Sequence, residues 1–207
     1  MKKIFIALII YLMNLSAVNA AQIDSANYLG DENLKYPLII IENSVTAAKI
    51  NSEIRAEISR FIAQMNQIAA EMAVTDKTIS TEFEIPCNYE YGLLSVIITE
   101  YVNFEGAAHP STFRKSLNFN SDSGIRIYAD SLTELGDSDY SPKGLSRKLK
   151  AYAEKNKLKL YDDFTELERV PEDFYFDENL HVHFIFQQYE VAPYAVGIIE
   201  FDATEKE

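Results

Sequence analysis

The sequence has few of the residues that build disulfides, phosphate-binding loops and nucleophilic active sites. Cys87 is the one cysteine, so no disulfide can form within a chain, and its place on the apolar side of a predicted strand indicates a buried, inert thiol. Only seven glycines occur, and none forms a phosphate-cradling loop. No serine stands in a Gly-x-Ser-x-Gly elbow. Stability must therefore come from a hydrophobic core, and a serine hydrolase is not expected.

Basic residues are also scarce, with 19 Lys and Arg against 32 Asp and Glu and a formal net charge of −13. Nucleic acids need a basic surface, so we predict no nucleic-acid partner. The acidic balance favours encounter with a cationic partner, although solubility alone explains it more simply. We interpret the acids in residues 166–178 as a solvated surface rather than a glycosidase pair. The basic run in residues 143–159 is either a contact for an anionic envelope polymer or lipid or, as we favour, a solvated helix face.

The first 20 residues have the pattern of a secretory signal peptide. Lys2 and Lys3 precede the apolar run Ile4–Met13, which is too short to span a bilayer as a stable anchor. Val18 and Ala20 stand at the −3 and −1 positions of a cleavage site after residue 20. We therefore predict an exported protein, periplasmic or secreted, with an uncleaved anchor as the alternative.

Hydrophobic periodicity predicts an α+β fold, in which an antiparallel sheet packs against one long amphipathic helix and a second, shorter helix. Apolar residues recur at steps of three or four along the long helix: Ile50, Ile54, Ile58, Phe61, Met65, Ile68 and Met72. From Ile79 the period of the apolar residues changes to two, which predicts a strand. Two further strands are predicted at Leu93–Phe104 and Thr112–Phe119, and the three strands together are interpreted as an antiparallel meander. Ser141 and Pro142 are suited to begin the shorter helix. Closing strands are predicted at Phe174–Phe176, Leu180–Phe186 and Val196–Phe201.

The histidines are the candidate metal ligands. His181 and His183 are spaced i, i+2 on a predicted strand, so both imidazoles point to one face. They could ligate zinc if His109 or a carboxylate folded nearby. No cysteine pair or helix-borne His-Glu motif supports such a site. We therefore predict exposed strand histidines, with no bound metal and no cofactor.

Two short loops, Gly106–Pro110 and Tyr189–Tyr194, carry the most distinctive motifs of the chain. In the first, His109 is held extended by the proline that follows it. In the second, a proline rigidifies the bend between two tyrosines, which are either packed rings or an aromatic contact surface. The candidate binding residues are Gly106, His109, Pro110, Tyr189, Pro193 and Tyr194.

These motifs resemble a known domain. Tyr91–Ser95, the first loop, Ser116–Phe119 and the second loop are similar to a domain of unknown function in the extracytoplasmic region of RsiV-type anti-sigma factors, which also occurs beside peptidoglycan deacetylase domains. Ile50–Ile54 and Tyr36-Pro37 resemble the smaller domain that usually precedes it. After the predicted signal peptide at 1–20, the resemblance implies a smaller subdomain with a strand and the long helix at 21–78, and a C-terminal α+β domain at 79–207.

The resemblance also implies a function in the cell envelope, because in the anti-sigma members this region binds lysozyme. Since no catalytic constellation is recognisable, we predict a non-enzymatic, exported binding module that recognises a lysozyme-like protein or peptidoglycan. One alternative is an envelope glycan hydrolase or deacetylase-like enzyme with a histidine-based metal site. Another is a structural subunit of the envelope.

Overall fold

The computed structural model describes residues 21–88, 90–134 and 138–204. The predicted signal peptide therefore lies outside the described residues, as does part of the loop between the second and third helices. Within the described ranges, no helix has the length and apolar character needed to cross a membrane.

The α+β prediction is confirmed, and the elements follow one another along the described chain as strands interrupted by helices. The helices are α1 Ser44–Glu71, α2 Asp130–Glu134 and α3 Pro142–Asn156. The strands are β1 Gln22–Asn27, β2 Lys35–Ile40, β3 Lys77–Asn88, β4 Leu93–Phe104, β5 Ser111–Asn120, β6 Arg126–Ile127, β7 Phe174–Phe176, β8 Val182–Phe186 and β9 Ile199–Asp202.

The strands form three antiparallel sheets rather than one. β1 and β2 make a hairpin, β3 to β6 make the central sheet in chain order, and β7 to β9 make a third sheet, also in chain order. The meander predicted around Leu93–Phe104 is confirmed as the middle of the central sheet. β1 was not predicted, because its exposed and half-exposed positions give no clean alternation of apolar and polar residues.

Helix α1 packs along one face of the central sheet. Its N-cap is Asn43, whose side-chain oxygen accepts hydrogen bonds from the backbone N–H groups of Val45 and Thr46. The predicted stripe is buried from Ile50 to Met65 and leaves the sheet at its end, where Met72 is 52% exposed. Its first part, Ile50, Ile54 and Ile58, shares a core with residues of the sheet: Leu94, Val96, Ile98, Leu117 and Phe119. Phe61 and Met65 pack with Val102 in a separate, smaller cluster. Helix α1 therefore buries its apolar stripe against the central sheet in two clusters.

Helix α3 covers the third sheet and forms a second core. Ser141 accepts a hydrogen bond from the backbone N–H of Gly144, which confirms the predicted start of the helix. Leu145 and Leu149 are fully buried in this core. Its aromatic members from the third sheet are Phe174, Phe176, Phe184, Phe186 and Phe201.

The third sheet is joined to the central sheet by a polar seam, which we define as Ser95, Ser116 and Asn118 with the backbone of β7. Asn118 Nδ2 donates to the carbonyl oxygen of Phe174 at 2.6 Å, and the Phe174 N–H donates to Ser116 Oγ at 2.8 Å. The Phe176 N–H donates to Ser95 Oγ, which itself donates to Asn118 Oδ1 at 2.7 Å. All three side chains are buried, so they supply the hydrogen bonds that the free edge of β7 cannot obtain from water.

We expect Asn118→Ala to lower the free energy of unfolding by about 1–3 kcal/mol, because it leaves buried polar groups of Ser95 and Phe174 without partners. Urea denaturation of the two proteins measures this difference. Asn103→Ala is the matched control, since Asn103 is an exposed asparagine of β4, and its effect should stay within about 0.5 kcal/mol. Equal effects of the two substitutions would contradict a stabilising role for the seam.

Candidate functional site

The two motif loops meet in space and form a cluster of three rings, His109, Tyr189 and Tyr194, which we call the aromatic patch. The His109 ring is stacked on Tyr194 with the ring centroids 3.8 Å apart. His109 Nε2 lies 3.1 Å from the Tyr189 hydroxyl, and the centroids of the two tyrosine rings are 5.6 Å apart. The patch thus combines residues that are 80 positions apart in the chain.

Hydrogen bonds lock the two loops to each other. The Tyr194 hydroxyl donates to the carbonyl oxygen of Pro110 at 3.1 Å, and the Thr112 N–H donates to Gln188 Oε1 at 3.3 Å. His109 Nδ1 also lies 3.0 Å from the Pro110 carbonyl oxygen. The patch is therefore a preformed surface.

The remaining candidate residues shape the loops. Gly106 has a φ of +79° in the turn after β4, a conformation that favours glycine. Pro193 is extended and precedes the short 3-10 turn Tyr194–Val196. Tyr189, by contrast, has a φ of +65° and is 55% exposed. It is the exposed member of the patch, whereas His109 and Tyr194 are half-buried.

A second feature, which we call the charged cleft, is a cavity of about 430 Å³ between α1, the edge of β5 and the segment that leads into β7. Its acidic lining residues are Glu53, Glu57, Asp130, Glu172 and Asp173. Its basic lining residues are Arg60, Lys115 and Arg126. Opposite charges at this density suit a ligand that carries both donors and acceptors, so the cleft is a second candidate for binding.

Asp173 connects the cleft to the patch. Its Oδ1 accepts the Ser116 N–H at 3.0 Å, and its Oδ2 accepts Lys115 Nζ and Gln187 Nε2, each at 3.0 Å. Gln187 lies in the same loop as Tyr189, so one buried carboxylate supports both features. The interpretation of the 166–178 acids as a solvated surface was therefore wrong for Asp173. This residue is buried, and its carboxylate is held by an ion pair with Lys115 and by hydrogen bonds.

Glu100 lies behind the cleft on β4 and is almost completely buried. Burial and, to a smaller extent, the charge of Glu57 raise its pKa from 4.5 to about 8. Within the described chain its Oε1 has no hydrogen-bond partner. Glu100 is therefore protonated at neutral pH, although it does not itself line the cleft.

This carboxyl group should make stability depend on pH. In the unfolded chain it ionises near pH 4.5, whereas in the native protein it resists ionisation up to about pH 8. Its contribution to stability is therefore intact below pH 4.5, falls as the pH rises and is lost above pH 8. Glu100→Gln removes this dependence, so the variant should gain stability over the native protein between pH 5 and pH 9, by at most about 5 kcal/mol.

Urea unfolding of Glu100→Gln and the native protein at pH 5 and pH 9 measures this gain. Glu105→Gln is the control, because Glu105 is an exposed glutamate just beyond the same strand. If Glu100→Gln retains the native pH dependence, the carboxyl group ionises normally in the folded protein.

The predicted histidine ligands do not converge as a trio. Nitrogen atoms of His181 and His183 lie within 4.8 Å of each other and of an oxygen of Asp177, whereas His109 belongs to the aromatic patch. The nearby carboxylate is thus Asp177, which the sequence reasoning did not single out. Its position four residues before His181, across the turn between β7 and β8, was the available signal.

The structure also locates Cys87 and the basic run of residues 143–159. Cys87 is buried, as predicted. The expectation of a solvated helix face was wrong for Lys148 in the basic run, because its Nζ is buried and donates to the carbonyl oxygen of Ala203. Lys150 likewise donates to the Thr165 carbonyl oxygen. These bonds tie α3 to the segments beside it.

Comparisons with known proteins point to one domain family. The family described as "Protein of unknown function (DUF3298)" matches residues 130–203, which extend from α2 through β9. The resemblance to a domain of unknown function is thereby confirmed for this segment. No curated protein matches the sequence.

Two crystal structures are similar to the whole described fold. One is a DUF3298 family member from Bacteroides fragilis NCTC 9343, with 16% identity and a TM-score of 0.56. The other is a DUF3298 family protein from Pseudomonas aeruginosa PAO1, with 14% identity and a TM-score of 0.54. Each comparison covers 91% of both chains. At these identities the likeness establishes the fold.

Proposed function

We propose that this protein is an exported, non-enzymatic binding module of the cell envelope, whose aromatic patch contacts a lysozyme-like protein or peptidoglycan. The observation that carries the proposal is the patch itself, in which an exposed Tyr189 ring stands beside the stacked rings of His109 and Tyr194. The similarity of the sequence motifs to RsiV-type anti-sigma factors supports the choice of ligands.

The physical chemistry of the patch suits recognition. Aromatic rings bury a large area on contact and lose little conformational entropy, so they are enriched at binding surfaces. Stacking of His109 and the hydrogen bond from Tyr194 to Pro110 hold the rings in place before a ligand arrives. Flat ring faces can pack against the C–H face of a sugar or against a protein side chain.

The electrostatics favour a basic protein as one ligand. The formal net charge of −13 becomes −15 if residues 1–20 are removed, because Lys2 and Lys3 are lost with them. Such a charge accelerates encounter with a cationic protein and does so less at high salt. Specific recognition through the aromatic patch would persist when this long-range attraction is screened.

Calorimetric titration with a basic lysozyme at low and moderate salt tests the proposal, with soluble peptidoglycan fragments titrated in parallel. We expect a saturable one-to-one isotherm for at least one ligand that survives moderate salt. A heat of binding that disappears at moderate salt would indicate only charge attraction. The absence of any heat of binding with both ligands would refute the proposed partners. Cell fractionation and sequencing of the mature N-terminus test export and cleavage after residue 20.

We expect Tyr189→Ala to weaken binding of that ligand at least tenfold, because it removes the most exposed ring of the patch. Tyr91→Ala is a closely matched control: Tyr91 is 54% exposed, has a φ of +52° and lies outside the patch. Thermal unfolding of both variants should match that of the native protein. Equal affinities of the two variants would place the binding surface elsewhere.

One observation favours the enzymatic alternative, namely the proximity of His181, His183 and Asp177. A metal-assisted glycan hydrolase or deacetylase would release reducing ends or acetate from purified peptidoglycan. Incubation of the protein with peptidoglycan and assay of both products separates this alternative from binding alone.

A further inference from the structure

We propose that Asp177, His181 and His183 form a binding site for a divalent transition-metal ion, for which Zn²⁺ is the probe. The three side chains meet where the β7–β8 turn enters β8. Their donor atoms lie within 4.8 Å of one another, and this group belongs to neither the aromatic patch nor the charged cleft. The inference is therefore independent of the proposed function.

Asp177 is oriented by the backbone of its own turn. Its Oδ1 accepts hydrogen bonds from the N–H groups of Asn179 and His181, both at 2.8 Å. This leaves Oδ2 directed at the histidines. The carboxylate is thus positioned by geometry to accept a cation together with the two imidazoles.

His183 is held in place by its neighbours on adjacent strands. Its ring is stacked on Tyr175, with centroids 4.7 Å apart and planes within 5° of parallel. The two residues face each other in the β7–β8 register. His183 Nε2 lies 3.2 Å from Asp177 Oδ2, so ring and carboxylate already have the separation that a shared ion requires.

His181 completes the group from its more exposed side. Its Nδ1 lies 3.7 Å from Asp177 Oδ2 and 2.9 Å from Asp202 Oδ2. Asp202 is itself fixed, because its Oδ1 accepts the Thr204 N–H at 2.7 Å. The side chain of His181 is 45% exposed, which gives an ion a route from solvent. Asp202 Oδ2 is a further carboxylate oxygen beside His181 for an open coordination position.

The donor types and the two separations from Asp177 Oδ2 fit zinc. Ligand atoms about 2.0–2.2 Å from a tetrahedral ion are about 3.3–3.6 Å apart, and the separations of 3.2 and 3.7 Å from Asp177 Oδ2 each lie within about 0.1 Å of that range. Two imidazoles and one carboxylate are a known ligand set of zinc sites that keep an open position. Magnesium and calcium prefer oxygen ligands alone, so the imidazoles select against them.

Charge balance on this face leads to the same conclusion. Arg114 neutralises Glu84 and Glu200 through ion pairs at 2.7 and 2.6 Å. Asp177 and Asp202 make no ion pair with a lysine or arginine of the described chain, and the basic side chains closest to them there are histidines. The negative charge of these two carboxylates is therefore not balanced by a lysine or arginine of the described chain. A divalent cation would compensate it.

The test is a competition for Zn²⁺ between a chromophoric chelator and the protein. The protein is the full chain as exported, and it is purified without a histidine tag. We expect one Zn²⁺ per chain. His181→Gln and Asp177→Asn should each weaken binding at least tenfold, since asparagine keeps the oxygen that accepts the turn hydrogen bonds but loses the charge. His109→Gln is the matched control and should bind zinc like the native protein.

Thermal unfolding and Co²⁺ absorption provide two further tests of the same site. Zinc should raise the midpoint of thermal unfolding of the native protein and of His109→Gln more than that of the other two variants. Co²⁺ should give a visible absorption band that disappears in His181→Gln. Absence of saturable zinc binding, or undiminished affinity in His181→Gln, would overturn the site. A protein that binds lysozyme or peptidoglycan but not zinc would overturn this inference alone.

Discussion

The polar seam between β7 and the central sheet is the interaction on which the arrangement of the fold depends. β7 lies against the face of the central sheet, and within the described residues it pairs with β8 alone. Each backbone group left buried without a partner would cost about 1–3 kcal/mol. Ser95, Ser116 and Asn118 satisfy three of these groups. Each of these hydrogen bonds forms only when β7 has one defined position on the central sheet. The main effect of the seam is therefore to fix the position of the third sheet, and its net contribution to stability is secondary.

Every candidate site depends on this placement. Asp173 immediately precedes β7 and joins the charged cleft to Gln187, whose loop carries Tyr189. Asp177 immediately follows β7 and enters the histidine cluster. A shift of β7 by one residue would reverse the faces of both carboxylates, since successive side chains of a strand point to opposite sides. The seam therefore keeps the sites on both sides of β7 in register with the central sheet.

Local patterns explain which parts of this structure were predictable from sequence. The stripe from Ile50 to Met65 and the alternation of the meander are readable because each covers many residues with one period. The two motif loops were recognisable by residue type, but their contact depends on how the segment after β8 lies against β5, which no local pattern encodes. Asp173 and Glu100 looked like ordinary acids. Their burial results from distant partners, Lys115 and α1 respectively, and so was invisible in the sequence.

The histidines show why residue type alone does not assign a site. His109 and His183 are both stacked on a tyrosine, Tyr194 and Tyr175 respectively. The difference lies in what their nitrogens face: a hydroxyl and a carbonyl oxygen for His109, and the carboxylate of Asp177 for His183. Neutral partners hold the His109 imidazole in place, whereas a carboxylate brings the negative charge that a metal ion requires. The same side chain therefore suits the proposed contact surface in one loop and the proposed metal site beside the third sheet.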